Sequence, residues 1–366
     1  MKGKYRLLLF VLFFLLSAKN AFANVGTPLM WAGMLHLVVG NALIGIIEGA
    51  LISKIFKVKK RRSISIMILA NYISMVAGSF IVGFTGHFFS NFLTIYWIHF
   101  FLIISFVTVF LLTVLFEWPF CYWILRVDAV ARKQSFRASV YAQILSYALL
   151  IPFYFLASGT SLLWNVKIQR DLSFVGTNPW VYFINDNGKS VNRVQLSGKA
   201  NEKVVDINVN SEYARLFPKK AESGEWDLWL KDRKEGEKDY QVKVFDGFSK
   251  EIAQLTRWDG EIIEEQQDSW FNFGVVDYRE PDKRQWKART GFWAIEGLHA
   301  ENEKEGKKFY IALETPFVQW YMRNVTILPG DQVVFQMGDQ IVLLDLESHK
   351  MGLVTKGRGP LVSFDE

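Results

Sequence analysis

The 366-residue chain contains a single cysteine, Cys121. That excludes an intrachain disulfide and any zinc site built on several thiolates. An exported domain without paired cysteines fits a bacterial envelope better than a eukaryotic cell surface. Acids are also scarce at the start of the chain. In the first 164 residues only Glu48, Glu117 and Asp128 stand against fourteen Lys or Arg. The formal net charge of +6 therefore divides into +11 on that half and −5 on the rest. The basic residues flank apolar runs and the remaining half is acidic, so nucleic acid is excluded as a partner.

Catalytic signatures are missing as well. There is no His-Glu-x-x-His, no Gly-x-Ser-x-Gly, no phosphate-binding loop and no dinucleotide glycine run after a strand. His299 and His349 are the only histidines of the second half, and neither has an evident nucleophile partner. The chain reads as a non-enzymatic protein, and no motif supports a cofactor. Glu264, Glu265 and Asp268 lack the spacing of a calcium loop. The run 261–265 and the stretch 231–239 read as solvated turns.

Long apolar runs are what the first half has instead. Residues 1–23 have the form of a secretory signal. Lys2, Lys4 and Arg6 precede an apolar segment from Leu7 to Leu16, and Ala21-Phe22-Ala23 resembles a cleavage site. Whether cleaved or retained as an anchor, this segment places Asn24 outside. Four stretches of roughly 20 or more residues follow, at 28–56, 65–84, 93–116 and 140–163, each long enough to cross a bilayer. Between the first two lies Lys57-Val-Lys-Lys-Arg-Arg62, and between the last two lie Arg126, Arg132, Lys133 and Arg137. The other connection, residues 86–91, has neither Lys nor Arg. The positive-inside rule makes both basic loops cytoplasmic and sends the C-terminal half to the far side. Trp31, Trp97, Trp118 and Trp164 fall near span ends, where interfacial aromatics belong.

The spans carry polar residues that an anchor does not need. Asn41, Gly45, Glu48 and Gly49 share one helical face, and Gly45-x-x-x-Gly49 allows another helix to approach closely. Asn71, Ser74 and Gly78 repeat that spacing in the second span. In an antiparallel hairpin of the two spans, Asn71 and Glu48 lie at similar depth. The favoured reading is structural: a protonated Glu48 hydrogen-bonded to Asn71 or Tyr72 across a small-residue seam. A proton- or ion-responsive site built on Glu48 and Asn41 is the alternative. His36 and His99 fall at a similar level of the outer leaflet, with His87 just beyond, and are candidate haem or metal ligands in a second alternative.

Beyond Lys167 the helical period gives way to short alternating segments bounded by Gly, Asp and Asn. Residues 181–194, 242–256 and 341–355 overlay as hairpins. The second and third share Asp246/Asp345, Ser249/Ser348 and Thr256/Thr355. A recurring turn residue suggests the inner hairpin of a propeller blade, although the intervals are irregular. The tryptophans of this half read chiefly as core.

The expected organisation is thus a signal peptide at 1–23, a four-helix transmembrane bundle at 24–164 and an all-β extracytoplasmic domain at 165–366. A propeller-like form of that domain is favoured over a β-sandwich. The expected role is a bacterial inner-membrane protein, in contact with lipid and with other envelope proteins. It would present a periplasmic interaction domain, as a subunit or assembly factor of a larger membrane complex.

Overall fold

A computed structural model describes residues 26–90, 92–126, 131–176, 178–198, 200–209, 214–232, 240–250, 254–256, 275–277, 285–291 and 294–364. The signal-like segment 1–23 and the acidic run 261–265 lie outside the described residues, as do Trp258, Trp270 and Trp293.

Four long helices occupy the N-terminal half: α1 (Pro28–Phe56), α2 (Lys60–Ser90), α3 (Ile98–Leu125) and α4 (Ala131–Ala157). All four are long and apolar enough to cross a membrane. Thr27 caps α1 through its side chain and Pro28 opens it, as suits a first helical turn. The helix ends at Lys57, which adopts the left-handed conformation with φ 54° and turns the chain into α2.

Three helices outrun the expected spans, and α2 does so at both ends, running from Lys60 to Ser90 where 65–84 was expected. α3 continues past Phe116 to Leu125 with Pro119 inside it, and α4 begins at Ala131 rather than near Val140. Charged residues end a span by composition, but they do not end a helix. Arg132, Lys133 and Arg137 therefore sit on the first turns of α4.

The second half is strand-rich and is arranged in several sheets. A short helix, α5 (Leu162–Asn165), leads into β1 (Lys167–Gln169), β2 (Trp180–Ile184), β3 (Ser190–Gln195) and β4 (Asn201–Asp206). Then come β5 (Arg215–Lys220), β6 (Trp226–Asp232), β7 (Tyr240–Ser249), β8 (Gln254–Thr256) and β9 (Val275–Asp277). β10 (Lys287–Thr290), β11 (Leu298–Asn302) and β12 (Lys307–Ile311) form one three-stranded sheet, and β5-β6-β7 form another. β13 (Leu313–Glu314) pairs with β14 (Gln319–Trp320). The largest sheet adds β15 (Met322–Leu328), β16 (Gln332–Met337), β17 (Gln340–Asp345) and β18 (Lys350–Lys356), in the order β1-β18-β17-β16-β15-β9-β8. The last strand, β19 (Arg358–Ser363), returns to pair with β2, giving the sheet β19-β2-β3-β4.

No closed propeller or barrel is found among the described residues. Parallel pairings of β1 with β18 and of β9 with β15 extend one sheet to seven strands, where a propeller blade stops at four. Two of the three expected hairpins are present. β2–β3 covers 181–194, and β17–β18 covers 341–355 with Asp345 Oδ1 accepting from Ser348 N at 2.7 Å. The unit at 242–256 is not a hairpin. β7 runs straight through Asp246 and Gly247 as a bulged partner of β6, while β8 pairs with β9. Gly247, at φ 56°, supplies the left-handed residue that the bulge needs, so the Asp-Gly pair bends a strand instead of turning the chain.

The chain divides into two compact units. One holds the body of the four helices. The other holds the strands together with segment 92–99, the connection between α2 and α3. In that segment Ile95 is fully buried and its N–H donates to Gln340 Oε1 of β17 at 2.9 Å. Tyr96 Oη accepts from Leu353 N of β18, and the Arg170 guanidinium lies over the rings of Tyr96 and Trp97.

Candidate functional site

The polar residues of the helices converge within the bundle. α1 contains one wide turn at His36–Gly40, where the Asn41 N–H reaches back to His36 O. Side chains serve two carbonyls of that turn. Asn41 Nδ2 donates to Leu37 O at 3.4 Å, and Tyr72 Oη donates to Val38 O at 2.8 Å. Such turns recur at functional sites and alter the direction in which later residues point. Asn41 Nδ2 also reaches Met75 Sδ on α2 at 2.7 Å.

Below this turn α1 and α2 come as close as two helices can. A Cβ on Gly45 would stand 2.6 Å from Ile68 Cα, and one on Gly49 would stand 2.5 Å from Ile64 Cα. Only glycine fits at either place. Gly78, expected in the same seam, faces open space. The seam therefore closes at Gly45 and Gly49 and loosens toward Gly78.

The close approach places Glu48 against α2. Its carboxyl accepts from Asn71 Nδ2 on α2 and shares a hydrogen bond with Ser146 Oγ on α4. Tyr72, the other expected partner, is committed to Val38 O. Ser74, one turn beyond Asn71, is hydrogen-bonded to Glu117 Oε1 on α3 at 3.1 Å. Glu48 is fully buried and Glu117 is 1% exposed. The two carboxyls interact electrostatically, with Gln143 of α4 also at Glu117. Cys121, one turn along α3, is fully buried and senses both acids. Each helix thus contributes to one polar cluster: Glu48 from α1, Asn71 and Ser74 from α2, Glu117 from α3, Gln143 and Ser146 from α4.

Sequence reasoning missed Glu117, Gln143 and Ser146. Glu117 follows the boundary assigned to the third span at Phe116, and the Trp118-Pro119 pair reads as a terminus. The apolar continuation 120–125 was the signal that the helix goes on.

The histidines do not form a comparable group. His36 Nδ1 is hydrogen-bonded to the Tyr154 hydroxyl of α4 at 2.7 Å. His99 is exposed, and the side chain of His87 lies outside the described residues. Among the described residues no three His, Cys, Asp or Glu gather as a metal site.

In the strand-rich unit, burial pushes the Asp339 carboxyl above its usual range, against the opposing charge of Lys356 at 3.3 Å. Asp186, in the β2–β3 turn, is raised by burial and by Asp339. Trp226, Trp286 and Trp320 are buried, as core tryptophans should be, and Trp180 is half-buried beneath the Arg193 guanidinium. A scan against protein-family models finds no match, and a search of curated proteins finds no similar sequence.

Proposed function

We propose that this protein resides in a bacterial inner membrane and presents its strand-rich unit on the periplasmic side as an interaction domain. On this reading it is a non-enzymatic subunit or assembly factor of a larger envelope complex. One observation carries the membrane part: the polarity of the helices is inside out. Val38, Phe80 and Ile103 are 65%, 77% and 63% exposed, whereas Glu48, Asn71, Ser74 and Glu117 are buried. In water such a surface would aggregate; hydrocarbon is the solvent that suits it. The basic residues at 57–62 and 126–137 then supply the orientation.

The interaction role rests on exposed apolar side chains outside the helices. Val242 and Phe245 of β7 and Tyr321 beside β15 face solvent, where a partner would bury them. Segment 92–99 and the exit after α4 both belong to the strand-rich unit. Within that unit Asn165 Nδ2 donates to Tyr310 O and Ser161 Oγ accepts from Ala312 N, each at 2.8 Å.

Two experiments test the reading. Reporter fusions after residue 59 and at the C-terminus should report opposite sides of the membrane, and the same side for both would refute the topology. Gentle solubilisation of the native protein should yield reproducible co-purifying membrane proteins, and a consistently lone monomer would refute the complex.

A further inference from the structure

We propose that Glu48 and Glu117 together form a proton-binding site in the helix bundle, each a neutral carboxylic acid that donates its hydrogen to a serine. Glu48 would donate to Ser146 and Glu117 to Ser74. The hydrogens around the two serines are too few for ionised acids. Ser146 Oγ lies within hydrogen-bond reach of two acceptors, a Glu48 oxygen and Ala142 O, the latter at 3.0 Å. A serine hydroxyl has one hydrogen to give. Ser74 Oγ is placed the same way, 3.1 Å from Asn71 O and 3.1 Å from Glu117 Oε1. With both carboxylates ionised, each serine is one hydrogen short. A proton on each glutamate removes both deficits, because the serine then donates to its backbone carbonyl and accepts from the acid.

A second observation points the same way. Glu117 Oε2 is buried with no partner at hydrogen-bonding geometry, the Gln143 amide being the polar group that acts on the same carboxyl. An ionised carboxylate oxygen in that position would be both desolvated and unpaired, a costly arrangement, whereas half of a neutral acid tolerates it far better.

Among the described residues the surroundings offer no competing cation. The titratable groups that face the pair are Cys121 on α3 and Tyr147 on α4, both neutral when protonated. Asn71, Ser74, Ser146 and Gln143 are uncharged, and no Lys or Arg of the described residues is among the groups acting on either acid. Two ionised carboxylates would repel each other with no positive charge among the described residues to offset them. Since the pair and its serines come from all four helices, losing a proton weakens contacts across the whole bundle. The site is therefore suited to couple proton occupancy to helix packing. This inference goes beyond the envelope role and depends on neither the orientation nor the partner.

Infrared difference spectroscopy on the full-length protein in lipid discs tests it. At neutral pH the wild type should show a carboxylic-acid C=O band that moves to lower frequency in D2O. Glu48→Gln and Glu117→Gln should each remove part of that band, and the double variant all of it. Ser146→Ala and Ser74→Ala leave both acids in place and should shift their components to higher frequency, which covers the case in which a glutamate variant fails to fold. A titration of thermal stability adds a second readout: the wild type should lose stability as pH rises, and the double variant should not. Superimposable neutral-pH spectra of wild type and double variant would overturn the proposal. So would a band abolished by Na+ or K+ at fixed pH, which would make the occupant a metal cation.

Discussion

Gly49 and Gly78 lie on the two helices that pack most closely, yet their environments differ. A Cβ at Gly49 meets the backbone of Ile64 at 2.5 Å, which cannot yield without moving a helix. Gly49→Ala should therefore cost about 1–3 kcal/mol through overpacking, read as a lower thermal midpoint of the detergent-solubilised protein. Gly78 meets nothing, and Gly78→Ala should be neutral or stabilising by roughly 0.5–1 kcal/mol, since alanine favours the helix. An equal loss from both substitutions would contradict the account of the seam.

Asp227 provides the pH dependence at this scale. Burial works against its charge, but the Gly247 N–H at 2.9 Å and the Lys243 ammonium at 3.0 Å more than offset that and hold the carboxyl below its usual range. A carboxyl depressed in the folded state stabilises above its unfolded pKa of about 4, and that contribution is lost as pH falls through the folded value. Acidification should loosen the β6–β7 bulge first. Asp227→Asn should flatten the acid limb of a stability–pH curve, measured by thermal unfolding.

Among the elements, segment 92–99 is held by the packing of the strand-rich unit to which it belongs. Its anchor is the Ile95 N–H on Gln340 Oε1. Gln340→Leu leaves that buried N–H without its acceptor, at a cost of about 1–3 kcal/mol. The expected sign is local: faster amide exchange and easier proteolysis across 92–99, with the β2–β3 hairpin unaffected. Unchanged exchange at Ile95 would mean that the contact does not hold the segment.

For the whole molecule, closure of the strand-rich unit depends on the chain's last strand. β19 covers the edge of β2, and both Leu361 and Val362 are buried. Each such side chain is worth about 1.5–3 kcal/mol on burial, against a total stability of roughly 5–15 kcal/mol. A chain ending at Gly357 should lose the fold of this unit and be cleared by limited proteolysis. A protease-resistant truncated form would show that β19 is dispensable.

Amino-acid order alone determined the four apolar helices, the switch to strands near Lys167, and the β2–β3 and β17–β18 hairpins. These follow from local periods and turn residues, which neighbouring positions carry between them. Pairings between distant segments were not legible. The parallel contacts of β1 with β18 and β9 with β15, which enlarge one sheet beyond a blade, depend on residues far apart in the chain. Gly247 bends β7 rather than ending it because β6 lies alongside, and the dipeptide itself is neutral between the two outcomes. Glu117 is the sharpest case. As one of three acids in the first 164 residues it looked like the border of a span. Only the packing of α3 against α2 and α4 turned it inward, where the shortage of hydrogens around Ser74 gives the acid a role.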